Sequence, residues 1–374
     1  MRIERRLAQP RWLTVAVPIG SLAFAFVAMA AVLGATHHDP FHTYRRLFEA
    51  AFTAHGALSG TFTFATPLLF TGLAAAAAFR MNLFNIGGEG QLYLGAIGGI
   101  GAALWLGGGS KPALMAVAIL GGGAAGAAWA LIPGVLRAFG RTNEIITSLM
   151  LNYAAAKLLE YLIYTSHSFW RDTTSPSAQV FPLGKTLPPV AQWPIYGRSV
   201  AVPFGLLLGV AVAAVLWTLY RRTRFGFEVD VIGDSPRAAQ YAGMRTRRKI
   251  LSVMAISGGI AGIGGAAQMG NFDYALDPRG LQSANYGYTG IVVAALARYN
   301  PFAVCLVAIL LGGLQNAGYT LQGADFPSGL VGVMQGIILF CALGGELLIR
   351  YRVRVPRWSR GSQPSVPSAA EAAQ

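Results

Sequence analysis

Ten stretches of this 374-residue chain are apolar and almost free of charge. They occupy residues 12–33, 62–79, 90–106, 112–136, 145–164, 200–220, 250–269, 286–297, 302–319 and 328–349. Most approach the roughly 20 residues that a helix needs to cross a hydrocarbon layer of about 30 Å. Apolar runs of that length are transmembrane helices before they are anything else. The predicted fold is therefore all-α: a polytopic membrane helix bundle of about ten transmembrane segments. Residues 286–297 are too few to span. They are expected to form a half-helix or re-entrant segment, which is tolerated only where protein or a watery cavity covers its ends.

Composition agrees. The chain is 54% hydrophobic and only 12% charged, against about a quarter charged in a soluble domain. One transmembrane domain is expected over residues 1–349. Residues 350–374 form a tail rich in Ser, Pro and Ala, expected to be disordered. Residues 12–33 are too long for a signal-peptide core and are expected to be retained as the first span. Cys305 and Cys341 both lie inside apolar runs, where they read as small packing residues rather than a disulfide framework.

The net charge of +14 does not point to nucleic acid, because the basic residues sit in short loops and form no aromatic-interleaved stripe. Their distribution instead sets orientation through the positive-inside rule. With a cytoplasmic N-terminus and ten crossings, 21 Lys and Arg fall inside and seven outside, and Lys157 alone lies within a span. Both termini are expected to be cytoplasmic, in the inner membrane of a bacterium.

Two connecting segments are long. Residues 165–199, on the outer side, contain Pro176, Pro182, Pro188, Pro189 and Pro194 with Phe169, Trp170 and Trp193. Proline at that density forbids a regular helix, so a covered loop is expected. Residues 221–249 form the inner segment. Within the spans, Gly122/Gly126 and Gly258/Gly262 have the small-xxx-small spacing that lets membrane helices approach closely.

Three motifs carry the candidate functional residues. The inner segment contains a short helix with its punctuation written out. Asp234 or Ser235 can cap its start and Pro236 suits its first turn. Arg237, Ala238, Ala239, Gln240, Tyr241 and Ala242 continue it, and Gly243 is placed to end it in the left-handed conformation. Such a knob fits a partner's groove through its small alanines; it fits equally an ordinary connector carrying positive-inside charge. The second motif places Asn85, Glu89 and Gln91 among three glycines at the start of an apolar run. An ionisable group there faces the bundle interior or a pathway, so Glu89 either ties helices together or meets substrate. In the third, Thr142 or Asn143 can cap the span that follows, and Glu144 suits its positive end. Thr147, Ser148 and Asn152 then form a polar stripe that points inward, and Lys157 and Glu160 can pair with each other.

The strings FNIGGEGQLYLGAIGG (84–99), NEIITSLMLNY (143–153), VIGDSPRAAQYAGM (231–244) and GYTGIVVAALARYNP (287–301) resemble permease subunits of ABC importers. The resemblance is to the branched-chain amino acid, simple-sugar and nucleoside branch, covers residues 68–349 in order, and in the second string is greatest to purine-nucleoside permeases. It implies about ten spans with some discontinuous helices, and pairing with a second, usually different permease chain. It also implies a cytoplasmic ABC ATPase beneath and an extracytoplasmic substrate-binding protein above. The short inner helix, Ser235 to Gly243, would be the element that docks into the ATPase. Arg298 and Tyr299 depart from the family pattern, which has glycine followed by Arg or Lys before Asn300-Pro301.

The chain is expected to be no enzyme and to hold no cofactor; ATP and Mg would be bound by the partner ATPase. Gly184-Lys185-Thr186 is no phosphate-binding loop, because Gln179 stands where the motif needs glycine. His37, His38, Asp39 and His42 read as solvated loop residues rather than a metal site. The favoured function is a nucleoside-importing ABC permease. Its rivals are the same machine carrying a simple sugar, and an ion-coupled secondary transporter using Glu89, Glu144 or the Lys157–Glu160 pair.

Overall fold

A computed structural model describes residues 2–5, 11–35, 37–322 and 329–354. The ten apolar runs become helices. After strand β1 (Arg2–Arg5) come α1 (Arg11–Ala35), a short amphipathic α2 (Pro40–Phe48) that continues as a π-helical turn Glu49–Thr53, then α3 (Ala57–Phe79), α4 (Gly88–Leu106) and α5 (Lys111–Gly140). Helix α6 (Glu144–Glu160) is prolonged by a π-helical turn, Tyr161–Thr165. The proline-rich segment holds one helical turn, α7 (Pro176–Val180), and a minimal ribbon of β2 (Ile195–Tyr196) and β3 (Val202–Pro203). Next are α8 (Phe204–Arg222), α9 (Arg224–Asp234), α10 (Pro236–Tyr241) and α11 (Thr246–Gln268), whose last turn, Met269–Asp273, is π-helical. The chain closes with α12 (Pro278–Ala284), α13 (Tyr286–Leu296), α14 (Pro301–Thr320), α15 (Gly329–Arg350) and β4 (Tyr351–Arg354).

By length and composition α3, α5, α8, α11 and α14 are each able to cross a membrane, among the described residues. Helix α4, at 19 residues, is long enough but opens on Glu89 with Gln91 and is less apolar for it, and α6, at 17 residues, opens on Glu144 and reaches that length only with its π-helical turn. At 11 residues α13 covers only about half the hydrocarbon layer, so it is the half-helix expected of residues 286–297.

Helix α3 is the axis of the bundle. Residues 65–79 are buried on every side, as an all-round apolar helix must be, with α4, α8, α11, α13 and α14 packed around it. The two glycine pairs find each other: α5 and α11 cross where a Cβ on Gly126 would strike the Gly258 carbonyl, and one on Gly262 the Gly122 carbonyl. Gly95 brings α4 against the same point on Gly262.

The proline-rich segment expected to be a covered loop is anchored to the bundle at a few points, while most of its residues are exposed or half-buried. Trp193 is buried, and the Trp170 indole donates to the Ile97 carbonyl at 3.0 Å. Asp39 spends its carboxylate capping α2 through the Phe41 amide. Strand β4 pairs antiparallel with β1, Arg5 opposite Tyr351 and Arg2 opposite Arg354, so the two ends of the described chain meet. Residues 355–374, most of the tail expected to be disordered, lie outside the described ones.

Candidate functional site

The backbone leaves helix between Arg80 and Gly87, and the later part of this bend, from Asn85 to Gly87, sits inside the bundle. Its polar groups are matched one by one, since lipid and packed side chains offer no water. Asn85 and Gln91 exchange both amide bonds, at 3.0 and 2.9 Å, and Asn85 also donates to Ser257 Oγ of α11 at 2.9 Å. Ser257 in turn donates to the Ala74 carbonyl of α3. From α6, Ser148 Oγ accepts the Ile86 amide at 3.2 Å. Asn152 accepts the Gly90 amide at 2.9 Å and donates to the Ile86 carbonyl at 2.9 Å.

Glu89 sits at the centre, 2% exposed. Tyr93, one turn on, donates its hydroxyl to Oε1 at 2.7 Å. The other oxygen accepts the Gly287 and Tyr288 amides, which are unpaired donors at the N-terminus of α13. A half-helix ending inside the membrane exposes such donors and a positive dipole end; Glu89 answers both. Gly287 lets the approach happen, because any side chain there would collide with the Glu89 backbone. Asn152 does the same for the start of α4. Two helix N-termini thus converge inside the bundle, each capped by a side chain from another element.

Of the seven core residues singled out in the sequence, Asn85, Glu89, Gln91, Ser148 and Asn152 belong to this node. Asn143 and Glu144 do not. Asn143 caps α6 through the Ile145 amide at 2.9 Å, and Glu144, buried at the α5–α6 corner, pairs with Arg137 at 3.2 Å. Thr147 turns back to its own helix, to the Asn143 carbonyl. Sequence reasoning missed Tyr93, Ser257, Gly287 and Tyr288. Only Tyr93 left a signal, at the i,i+4 spacing from Glu89.

Residues 221–249 form a platform. Arg80, at the end of α3, makes a two-pronged bond to Asp230 of α9 at 2.6 and 2.9 Å, and lies over the Tyr220 ring. Asn82 donates to the Gly233 carbonyl. Glu228 bridges Lys249 of α11 at 2.8 Å and Arg224 at 2.9 Å; those partners, Lys249 foremost, hold its carboxyl below the usual range. On this base stands α10. Ser235 is the cap, accepting the Ala238 amide, and Gly243 takes φ +75°. Ser235, Pro236, Arg237, Ala238, Gln240, Tyr241, Ala242 and Gly243 are all exposed, Tyr241 by 94%. Ala239 differs from these eight neighbours: it is 0% exposed. A short helix lying on a platform must bury one face, and Ala239 is on it, so its small size serves this chain's own packing.

Arg298 and Tyr299 occupy the turn between α13 and α14 at φ 50° and 61°. That is the left-handed region which glycine enters freely, a physical reason for glycine in the family pattern.

A cavity of about 390 Å³ lies at the opposite end of α3 from the platform, lined by Arg46, Glu49, His55, Asn316 and Thr320 among others. Asn316 anchors it, donating to the Ala50 and Ala57 carbonyls at 3.2 and 3.1 Å.

Comparison with known proteins places this geometry. The model of a family described as the permease component of branched-chain amino acid transport systems matches residues 57–343, from α3 into α15. The chain is 33% identical to a glucose ABC transporter permease protein of Haloferax volcanii, over 97% of this chain and 96% of that one. It is 31% identical to a guanosine ABC transporter permease protein of Bacillus subtilis, over 86% and 91%. A nucleoside ABC transporter permease protein of Lactococcus lactis subsp. cremoris is 27% identical over 87% and 90%.

Proposed function

This chain belongs to the permease family of branched-chain amino acid transport systems, and from that premise we propose that the cargo it passes across the membrane is a nucleoside. The observation that carries the transport function is the unbroken family match from residue 57 to 343, which takes in the buried node, α6, the inner platform and the half-helix together. The nucleoside cargo is supported by the guanosine and nucleoside permeases among the relatives. It is also supported by the node. Among the described residues the buried carboxylates are Glu89 and Glu144, and both are engaged by the chain's own donors. A converging pair of helix N-termini would otherwise suit an anionic cargo; here Glu89 already occupies that position, which favours a neutral one.

The proposed mechanism is alternating access driven from the inner face. The ATPase, which alone binds ATP and Mg, grips the exposed residues of α10. Movement of α10 passes through the Arg80–Asp230 and Glu228–Lys249 pairs into α3 and α11, the central helices of the bundle. Both termini lie in the cytoplasm, a second permease chain completes the pathway, and a binding protein delivers cargo to the outer face. This chain performs no covalent chemistry. One observation favours a second cargo, a simple sugar: the 33% identical relative is a glucose permease.

The test is uptake by cells carrying this permease with its ATPase, second permease and binding protein, against labelled guanosine, uridine, glucose, ribose and leucine. Accumulation of nucleosides, unaffected by excess glucose, is expected. Accumulation of glucose without nucleosides would overturn the cargo assignment.

A further inference from the structure

Helix α6 and its π-helical turn rise about 33 Å from Glu144 to Thr165, enough to cross the hydrocarbon layer. Its buried face is the one already described, with Ser148, Asn152, Ala155 and Leu159. Its other face is uncovered. Above an exposed Ile146 at its foot, Met150, Tyr153 and Tyr161 are 56%, 63% and 56% exposed, and the Lys157 side chain 75%. Tyr153 stands about 14 Å above Glu144 and Lys157 about 20 Å above it, so neither is at a membrane surface. Lys157 pairs with Glu160 at 2.7 Å, and Glu160 accepts a second bond from Gln282 of α12 at 3.2 Å.

Lipid does not tolerate this face. A charged pair and a phenol in mid-membrane are found against protein or water. The contrast with the other uncovered faces is sharp. Outward residues through the middle of α5, α8 and α14, such as Leu120, Val215, Leu306 and Leu310, are aliphatic. Those helices present themselves to acyl chains, and α6 does not.

We infer that the uncovered face of α6, with Gln282, lines the aqueous path for cargo, and that Tyr153 is the aromatic surface on which a planar heterocycle rests as it passes. This rests on the proposed nucleoside cargo. A neutral nucleoside has a flat base and a ring of hydroxyls. Tyr153 offers a ring face beside the polarisable Met150 thioether, and base–aromatic stacking tolerates different bases. Higher up, the Lys157–Glu160–Gln282 group offers donors and an acceptor at no net charge, which suits hydroxyls and gives an ion no advantage.

The test uses the assembled transporter with Cys305 and Cys341 replaced by alanine. Single cysteines at Tyr153 and Tyr161 are compared with Val215→Cys and Leu306→Cys for reaction with a small cationic, water-soluble thiosulfonate. Fast reaction at 153 and 161, none at 215 and 306, and slowing of the 153 reaction by guanosine are expected. Unreactive cysteines at both 153 and 161 would mean that the face is packed against protein, and would overturn the proposal. The second arm is guanosine uptake by Tyr153→Phe and Tyr153→Leu. Phenylalanine keeps the ring and should keep uptake. Leucine should lower it by about tenfold, in line with a stacked base, with the ATPase still co-purifying. Equal uptake by the two variants would remove Tyr153 from the path. Fast labelling in a transporter that imports no nucleoside would leave the lining of the path standing and refute the cargo it was argued for.

Discussion

Replacing Glu89 by alanine leaves three donors without their acceptor: the Tyr93 hydroxyl and the Gly287 amide, which lose full hydrogen bonds, and the Tyr288 amide, which loses a longer one at 3.3 Å. All lie in the bundle interior. An unsatisfied buried donor costs about 1–3 kcal/mol, so the two full losses come to about 2–6 kcal/mol. Removing the carboxylate from the positive end of α13 adds about 0.3–1 kcal/mol. Glutamine behaves differently. Its oxygen can still accept from the α13 amides, and its NH₂ can donate to the Tyr93 hydroxyl, which rotates to receive it. A loss of about 1 kcal/mol, one imperfect hydrogen bond, is expected. The assay is the thermal unfolding of detergent-purified complex, with membrane abundance measured in parallel. The Glu89→Ala variant should unfold several degrees below Glu89→Gln and be less abundant. If both variants are as abundant and as heat-stable as wild type while uptake is abolished, then Glu89 meets cargo and its role as a cap for α13 is wrong.

Three further outcomes follow from other parts of the molecule. In a cysteine-free background, Thr173→Cys should react with an impermeant thiol reagent in spheroplasts and Arg237→Cys only after permeabilisation; the reverse pattern would invert the topology. Gly262→Val, at the α5–α11 crossing, should abolish recovery of folded protein, whereas Gly332→Ala, where a Cβ meets nothing within 4 Å, should leave it unchanged. Recovery of both in equal amounts would deny the close crossing. For Glu228, whose folded pKa is lowered chiefly by Lys249, the stabilisation is complete above the ordinary carboxylate value of about 4.3 and is lost as pH falls through the lowered folded value. Hydrogen exchange in α9, corrected for intrinsic rates, should thus stay flat from neutral pH to about 5 and accelerate only below about 4. Glu228→Gln should remove that acid step, and an identical step in the variant would exclude Glu228 as its source.

Much of this was legible because the membrane enforces it. Ten apolar runs gave ten helices, and residues 286–297 were visibly too short. The caps of α10 and α6 could be read because Ser235, Gly243 and Asn143 are residue types with few other reasons to stand there. The glycine spacings announced a close crossing, though not that the two pairs would meet. What stayed hidden depends on distance along the chain or on faces too short to have a period. Nothing in residues 286–288 tells that their amides will find Glu89, almost 200 positions earlier. Six residues of α10 contain fewer than two turns, so no periodicity marks Ala239 as its buried member. The pairing of β1 with β4 joins two four-residue strands from opposite ends of the chain, and neither carries enough alternation to stand out. The exposed face of α6 is the converse case. Lys157 and Glu160 were visible as a pair, but only the bundle shows that they look outward.

The proposal that this permease is driven from below through α10 turns on one surface residue. Tyr241 is 94% exposed, and its side chain supports nothing in its own chain, so substitution there should change the stability of the permease by no more than about 0.5 kcal/mol. The decisive measurement is the amount of ATPase that co-purifies with a Tyr241→Glu permease, at equal permease yield and melting temperature. A carboxylate placed in a desolvated groove without a counter-charge is costly, so loss of the ATPase, together with loss of uptake, is expected. Wild-type recovery of the ATPase with wild-type uptake would show that α10 is an ordinary connector and that coupling runs elsewhere.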